Sequence, residues 1–184
     1  MPKKKLLWYP NAMYHVTCRG NRRSDIFKDD QDYLVYLENL KEAMDYYENS
    51  YELIVYTLMT NHIHLQIKTN EKHIWYLMSR INKSYARNFN NKYNYVGHLF
   101  QDRYNAEIMQ EDNYVLEASR YIHLNPVRAK MVQKPEFYKW SSYSMYIGNE
   151  KEKLSCSDKI LSYFKDKNRE LYKGFVESAI SKFS

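Results

Sequence analysis

The 184-residue chain is 44% hydrophobic and 27% charged, a balance that suits one globular domain with its own core and excludes a low-complexity segment. Its net charge of +6 and pI near 9.1 favour a polyanionic partner, and since residues 150–184 carry +2 and the rest +4, the basicity belongs to the body and not to a tail. Two isolated cysteines, Cys18 and Cys156, exclude a disulfide framework, no run approaches the ~20 apolar residues of a membrane span, and Pro10 and Asn11 cut the apolar start short of a signal peptide, so a cytoplasmic protein is expected.

Residues 14–19 (YHVTCR) read as a short strand, with Gly20-Asn21 as the turn after it. Asp29 or Asp30 can cap a helix running to about Asn49, with Tyr33, Leu37, Leu40, Met44 and Tyr47 as its apolar stripe. Residues 51–59 (YELIVYTLM) are strand-like, Thr60-Asn61 is a minimal break, and residues 62–68 (HIHLQIK) alternate again, the pattern of an antiparallel hairpin. A second helix over about 73–91 turns Ile74, Leu77, Met78, Ile81, Tyr85 and Phe89 inward and keeps Arg80, Lys83, Arg87 and Asn88 off that face. A turn and a strand near 103–109 follow. Asp112 can cap a third helix, which Pro126 should end near Asn125. Residues up to about 148 read as irregular and aromatic, and 157–182 as helical. The order β-α-β-β-α-β-α predicts an α+β fold, a ferredoxin-like antiparallel sheet with helices on one face. That gives a domain over 1–148 and a C-terminal helical extension over 149–184, docked on the body.

Two features carry chemistry. His62 and His64 are two apart in a strand, so both imidazoles face one side and can hold one cation while Ile63 faces the core. Alone, such a pair is common. In RYIHLNPVRA, Tyr121 and Asn125 stand four apart on one helix face, with Tyr114 and Glu117 on the same stripe and Val115, Ala118 and Ile122 on the apolar stripe beside it. A packing role for Tyr121 and a helix-end role for Asn125 are the plainer readings. Together the residues suit phosphodiester chemistry: a tyrosine nucleophile, and a cation on two imidazoles and an amide oxygen to polarise the phosphate.

TNHIHLQI resembles the HUH (His-hydrophobe-His) strand of the insertion-sequence-type, one-tyrosine single-strand DNA transposases. VGHLFQDRY and SRYIHLNPVRA resemble the following blocks of the branch called REP-associated tyrosine transposases, and YHVTCRGN resembles their first strand and turn. The resemblance spans about residues 12–148. It implies that His62 and His64 form the metal-binding pair, that Tyr121 is the nucleophile, and that Asn125 completes the metal site. Smaller relatives usually carry Gln at that last position, so the Asn favours the REP-associated branch. It further implies Mg or Mn as the cofactor, cleavage of single-stranded DNA near hairpins through a 5′-phosphotyrosine with release of a 3′-hydroxyl, and action as a monomer or homodimer. Glu117, one turn before Tyr121, is a candidate assisting base or ligand. Arg19, Asn21, Arg22, Lys83, Arg87, Arg103 and Arg120 are the candidate DNA contacts, and the aromatics can stack unpaired bases. His98 and His123 lie inside the matching blocks, with His123 pointing away from the Tyr121 face; His15 and His73 have no special claim. The competing reading is a module that binds hairpin DNA or RNA without cutting it. An initiator-type nickase shares the chemistry but often adds a helicase domain, for which this length leaves no room.

Overall fold

The computed structural model describes residues 7–183. Strands β1 (Ala12–Arg19), β2 (Tyr51–Met59), β3 (His62–Thr69) and β4 (Asn105–Met109) form one antiparallel sheet of order β2-β3-β1-β4. β3 is inserted between β1 and β2, and β1 between β3 and β4, so two βαβ crossovers interleave, as the element order predicts. The crossovers are helices α1 (Asp30–Tyr46) and α2 (Ile74–Tyr93).

Local signals set the ends of these helices. Asp29 is the N-cap of α1: its carboxylate accepts from the Asp32 amide at 3.1 Å while the Asp32 carboxylate accepts from the Asp29 amide at 3.4 Å, a reciprocal capping box. α2 buries Ile74, Leu77, Met78, Ile81, Tyr85 and Phe89, the six positions its periodicity picks out. Each such burial contributes roughly 1.5–3 kcal/mol, against the few tenths by which propensities differ.

Alternation along the strands divides the molecule in two. Ala12, Tyr14, Val16 and Cys18 of β1 and Ile63, Leu65 and Ile67 of β3 pack with α1 and α2 in one core. Met13, Ile54, Val55 and Met109 point to the opposite face and pack with Val115, Ala118 and Ile122 of α3 (Asp112–Arg128). The expectation that all helices share one face is therefore corrected. α1 and α2 cover one side, and α3 lies across the other. The physical cause lies in β2, whose near-continuous apolar run is buried along both faces and so needs a cover on each side.

Two further expectations about α3 change. Its N-cap is Glu111, which makes no side-chain cap bond; the Asp112 carboxylate instead accepts from the Tyr163 hydroxyl and from Lys159. Pro126 does not end the helix, which continues to Arg128 with Pro126 inside it. Pro126 and Val127 are buried, and that burial offsets the hydrogen bond the proline cannot donate.

After α3 the chain closes the open edge of β2. The Leu58 amide donates to the Trp140 carbonyl at 2.8 Å, the Ser142 amide to Tyr56 at 3.0 Å and the Cys156 amide to Leu53 at 2.9 Å, so the strand's free groups are satisfied within the chain. α4 (Tyr143–Tyr146), α5 (Asp158–Leu161) and α6 (Arg169–Glu177) complete the chain. Tyr143, Tyr146, Ile160, Leu161, Tyr172 and Val176 join the α3 core.

Candidate active site

β3 turns His62, His64 and Gln66 to the α3 side while Ile63, Leu65 and Ile67 fill the other core. The two imidazole rings stand 5.1 Å apart, edge to face. Burial pushes His62 down to about 4, helped by the Arg19 guanidinium. Burial also pushes His64 well below the ordinary histidine range, with His15, His62, Arg19 and Arg128 adding to it. Both rings are therefore neutral at neutral pH and carry a lone pair each. For His62 the tautomer follows from its neighbour. The Asn61 amide nitrogen donates to the Arg23 carbonyl, which leaves Asn61 Oδ1 facing His62 Nδ1 at 2.6 Å. An amide oxygen only accepts, so Nδ1 holds the proton and Nε2 carries the free lone pair. Gln66, two residues on, ties this strand to the helix above it: its Nε2 donates to the Val115 carbonyl at 3.1 Å, while its buried amide oxygen has no partner.

α3 brings Tyr121 over this stripe. Its ring centroid lies 5.7 Å from that of His64, and the side chain is 40% exposed, so the phenol is open to solvent. The pocket in front of it has a volume of about 500 Å³ and is lined by Tyr121, His64, His15, Glu107 and Glu117. Asn125 is buried one turn on; its amide nitrogen donates to the Tyr121 carbonyl at 2.9 Å, a bond that leaves its oxygen out. Arg128, made helical by the extra turn past Pro126, places its guanidinium 4.7 Å from the Tyr121 ring centre. The Glu117 carboxylate is bound by Arg120, whose guanidinium also lies 4.4 Å from the Phe175 ring centre. These two residues thus link α3 to α6.

His123 is fully buried behind α3, and burial holds it down to about 3. Its Nδ1 meets the Tyr172 hydroxyl at 2.7 Å and its Nε2 meets Ser142 Oγ at 2.9 Å. It therefore clamps α3 to α6 and has no surface to offer a strand of DNA.

Lys83, Arg87, Arg103 and His98 come together in one groove of about 820 Å³ between α2 and the 97–104 loop, with Trp75 at its side. Trp75 and Tyr76 are exposed. The same loop is tied to the end of β1, since the Gln101 amide donates to Arg19 and the Asn21 amide to Leu99. Arg19 stands opposite His62 in the β1–β3 register. Arg22 is exposed beside it with a positive φ of 54°.

Sequence reasoning missed His15, whose ring meets that of His64 edge to edge, with centroids 5.2 Å apart and Nε2 2.9 Å from His64 Nδ1. It also missed Arg128 and Gln66. Gln66 was legible as the next same-face residue after His62 and His64; His15 needed the strand register, which no local pattern supplies.

The residues fit a divalent cation. Two neutral imidazoles on one strand suit Mn or Zn and, less usually, Mg. Among the described residues no three His, Cys, Asp or Glu side chains form a metal-holding group; the Asn125 amide oxygen is an uncharged donor of the type that could join two imidazoles.

The family model for Transposase IS200 like matches residues 9–125. The solved structure of a REP-associated tyrosine transposase bound to a REP hairpin is similar in fold, with a TM-score of 0.69 at 14% identity over 85% of this chain and 91% of that one. A chain from Deinococcus radiodurans R1 matches over 65% of this chain and 95% of its own at 17% identity, and its TM-score of 0.45 is too low to bear on the argument. No curated protein matches the sequence. No helix among the described residues is long and apolar enough to cross a membrane.

Proposed function

The chain belongs to the IS200-like transposase family, and we propose that it cuts and rejoins single-stranded DNA beside hairpins, through Tyr121, in the manner of the REP-associated branch. The observation that carries this is the exposed Tyr121 phenol poised over His64 across an open pocket. In the proposed step the Tyr121 oxygen attacks the scissile phosphorus and the bond from phosphorus to the 3′-oxygen breaks. The phenol proton is released, the 3′-oxygen takes up a proton, and the 5′-phosphate stays on Tyr121. Rejoining reverses this, with a 3′-hydroxyl attacking the phosphotyrosine, so no nucleotide is spent. His62, His64 and Asn125 are the residues that would hold Mg or Mn, which when bound polarises the phosphate and offsets its charge. Arg19 and Arg128 lie close enough to His64 to act on it electrostatically, and their guanidinium groups suit phosphate oxygens.

The groove formed by Lys83, Arg87 and Arg103 supports a path for the strand away from the reacting phosphate. Exposed Trp75 and Tyr76 beside it offer faces on which unpaired bases can stack. Arg120, engaged with Glu117 and Phe175, is better placed to hold α6 than DNA.

The test is a denaturing gel of the full chain with single-stranded hairpins from the flanks of its own gene, with and without Mn or Mg. Wild type should form a covalent adduct, and Tyr121→Phe none. His62→Ala and His64→Ala should each lose most of it. Replacing Lys83 and Arg87 by Ala should weaken binding and flatten its salt dependence while leaving the bound-state cleavage rate. An adduct that persists in Tyr121→Phe refutes the nucleophile. Tight hairpin binding with no cleavage under any divalent cation makes the protein a binding module.

A further inference from the structure

We propose that His15 is a positioning residue for His64: it accepts the Nδ1 proton of His64 and so keeps the His64 Nε2 lone pair aimed at the cation. The inference rests on the metal-site reading of His62 and His64 above. His15 Nε2 and His64 Nδ1 face each other at 2.9 Å, and only one proton fits between them. If it sits on His15, His64 must carry its own proton on Nε2 and has no lone pair to offer. If it sits on His64 Nδ1, Nε2 is a ligand. His64 binds a metal through Nε2 only in the second arrangement, which requires His15 to present a lone pair inward.

The sheet supplies a reason for His15 to do so. β1 lies between β3 and β4, so His15 has His64 on one flank and, directly opposite in the β1–β4 register, Glu107 on the other. The Glu107 charge acts on His15, and a carboxylate, which only accepts, favours the tautomer whose N–H lies on its side, leaving the other nitrogen bare toward His64. Glu107 is itself held from the nucleophile helix, where the Tyr114 hydroxyl donates to its Oε2 at 3.0 Å. The row Tyr114, Glu107, His15, His64 thus crosses from α3 through three strands to the metal pair. The two rings lie within 23° of parallel with centroids 5.2 Å apart, so they meet edge to edge with the two nitrogens facing, the geometry in which one proton is shared in the ring plane.

The experiment is a calorimetric titration of Mn(II) alone into the full chain, comparing wild type, His15→Phe, His15→Gln and His64→Ala. Phe keeps an aromatic ring at the site but cannot accept a proton; Gln has an amide oxygen that can. The expected result is a loss of roughly 10- to 100-fold in Mn(II) affinity for His15→Phe, and affinity within a few-fold of wild type for His15→Gln. Equal affinities for His15→Phe and wild type overturn the inference and leave the metal site standing, because His64→Ala still loses binding. His15→Gln binding as weakly as His15→Phe, with both variants folded, overturns it too. Wild type and His64→Ala binding Mn(II) alike overturns the metal reading and this inference with it.

Discussion

Removing one oxygen atom far from solvent should loosen α3. Tyr172 of α6 is fully buried, and its hydroxyl donates to Ser119 Oγ at 3.3 Å while facing His123 Nδ1 at 2.7 Å. A phenol has one proton, so if it goes to Ser119 then His123 Nδ1 must donate to the phenol oxygen. His123 Nε2 meets Ser142 Oγ at 2.9 Å, and the Ser142 hydroxyl also reaches the Tyr56 carbonyl at 3.3 Å. Ser142 Oγ in turn accepts from the Tyr56 amide at 3.0 Å. Every polar atom of this buried chain has a partner, and α3, α6 and β2 are joined by it. Tyr172→Phe keeps the ring and its packing but strands one nitrogen of His123 in a dry core. An unsatisfied buried donor costs about 1–3 kcal/mol, so a loss of about 2 kcal/mol is expected. For a chain of this size that is about 4–8 °C in Tm. Urea denaturation of wild type and variant measures it directly, and an unchanged m-value shows that the unfolded state is not the cause. A loss below about 0.5 kcal/mol would refute the buried network.

Two other perturbations follow from the same coordinates. A Cβ on Gly20 would lie 2.1 Å from the Ser24 carbonyl oxygen and 2.9 Å from Ile26 Cγ2, and the loop cannot retreat because the Gly20 amide is bonded to Asn61 at 2.8 Å. Gly20→Ala should therefore cost about 2–3 kcal/mol, at the upper end for overpacking; an unchanged Tm in a thermal melt contradicts this. The buried His123, held near 3 against an ordinary 6.5, gives stability a pH dependence of definite sign. Above 6.5 neither folded nor unfolded chain is protonated there, and nothing is lost. As pH falls from 6.5 toward 3 the unfolded chain takes up a proton that the folded one refuses, so stability drops. By pH 4.5 the His123 share is about 2–3 kcal/mol. In urea titrations at pH 7.5 and 4.5, His123→Gln should lose less than wild type by about that amount; equal losses would show that His123 is not the group responsible.

What local pattern determined was the elements and their inward faces. The α2 stripe, the Asp29 cap, the β2–β3 hairpin and the side shared by His62 and His64 follow from periods of 3.6 and 2 and from one capping motif. Such signals involve residues within a few positions of each other, so they survive in the bare sequence. Tertiary structure alone decided which side of the sheet α3 covers, that α3 runs past Pro126, and that α6 locks onto it through His123. Each of these depends on contacts between residues far apart in the chain, where burial outweighs local preference. His15 shows the difference most plainly. It lies 49 residues from His64, and only the pairing of β1 between β3 and β4 turns an unremarked histidine into the neighbour of His64.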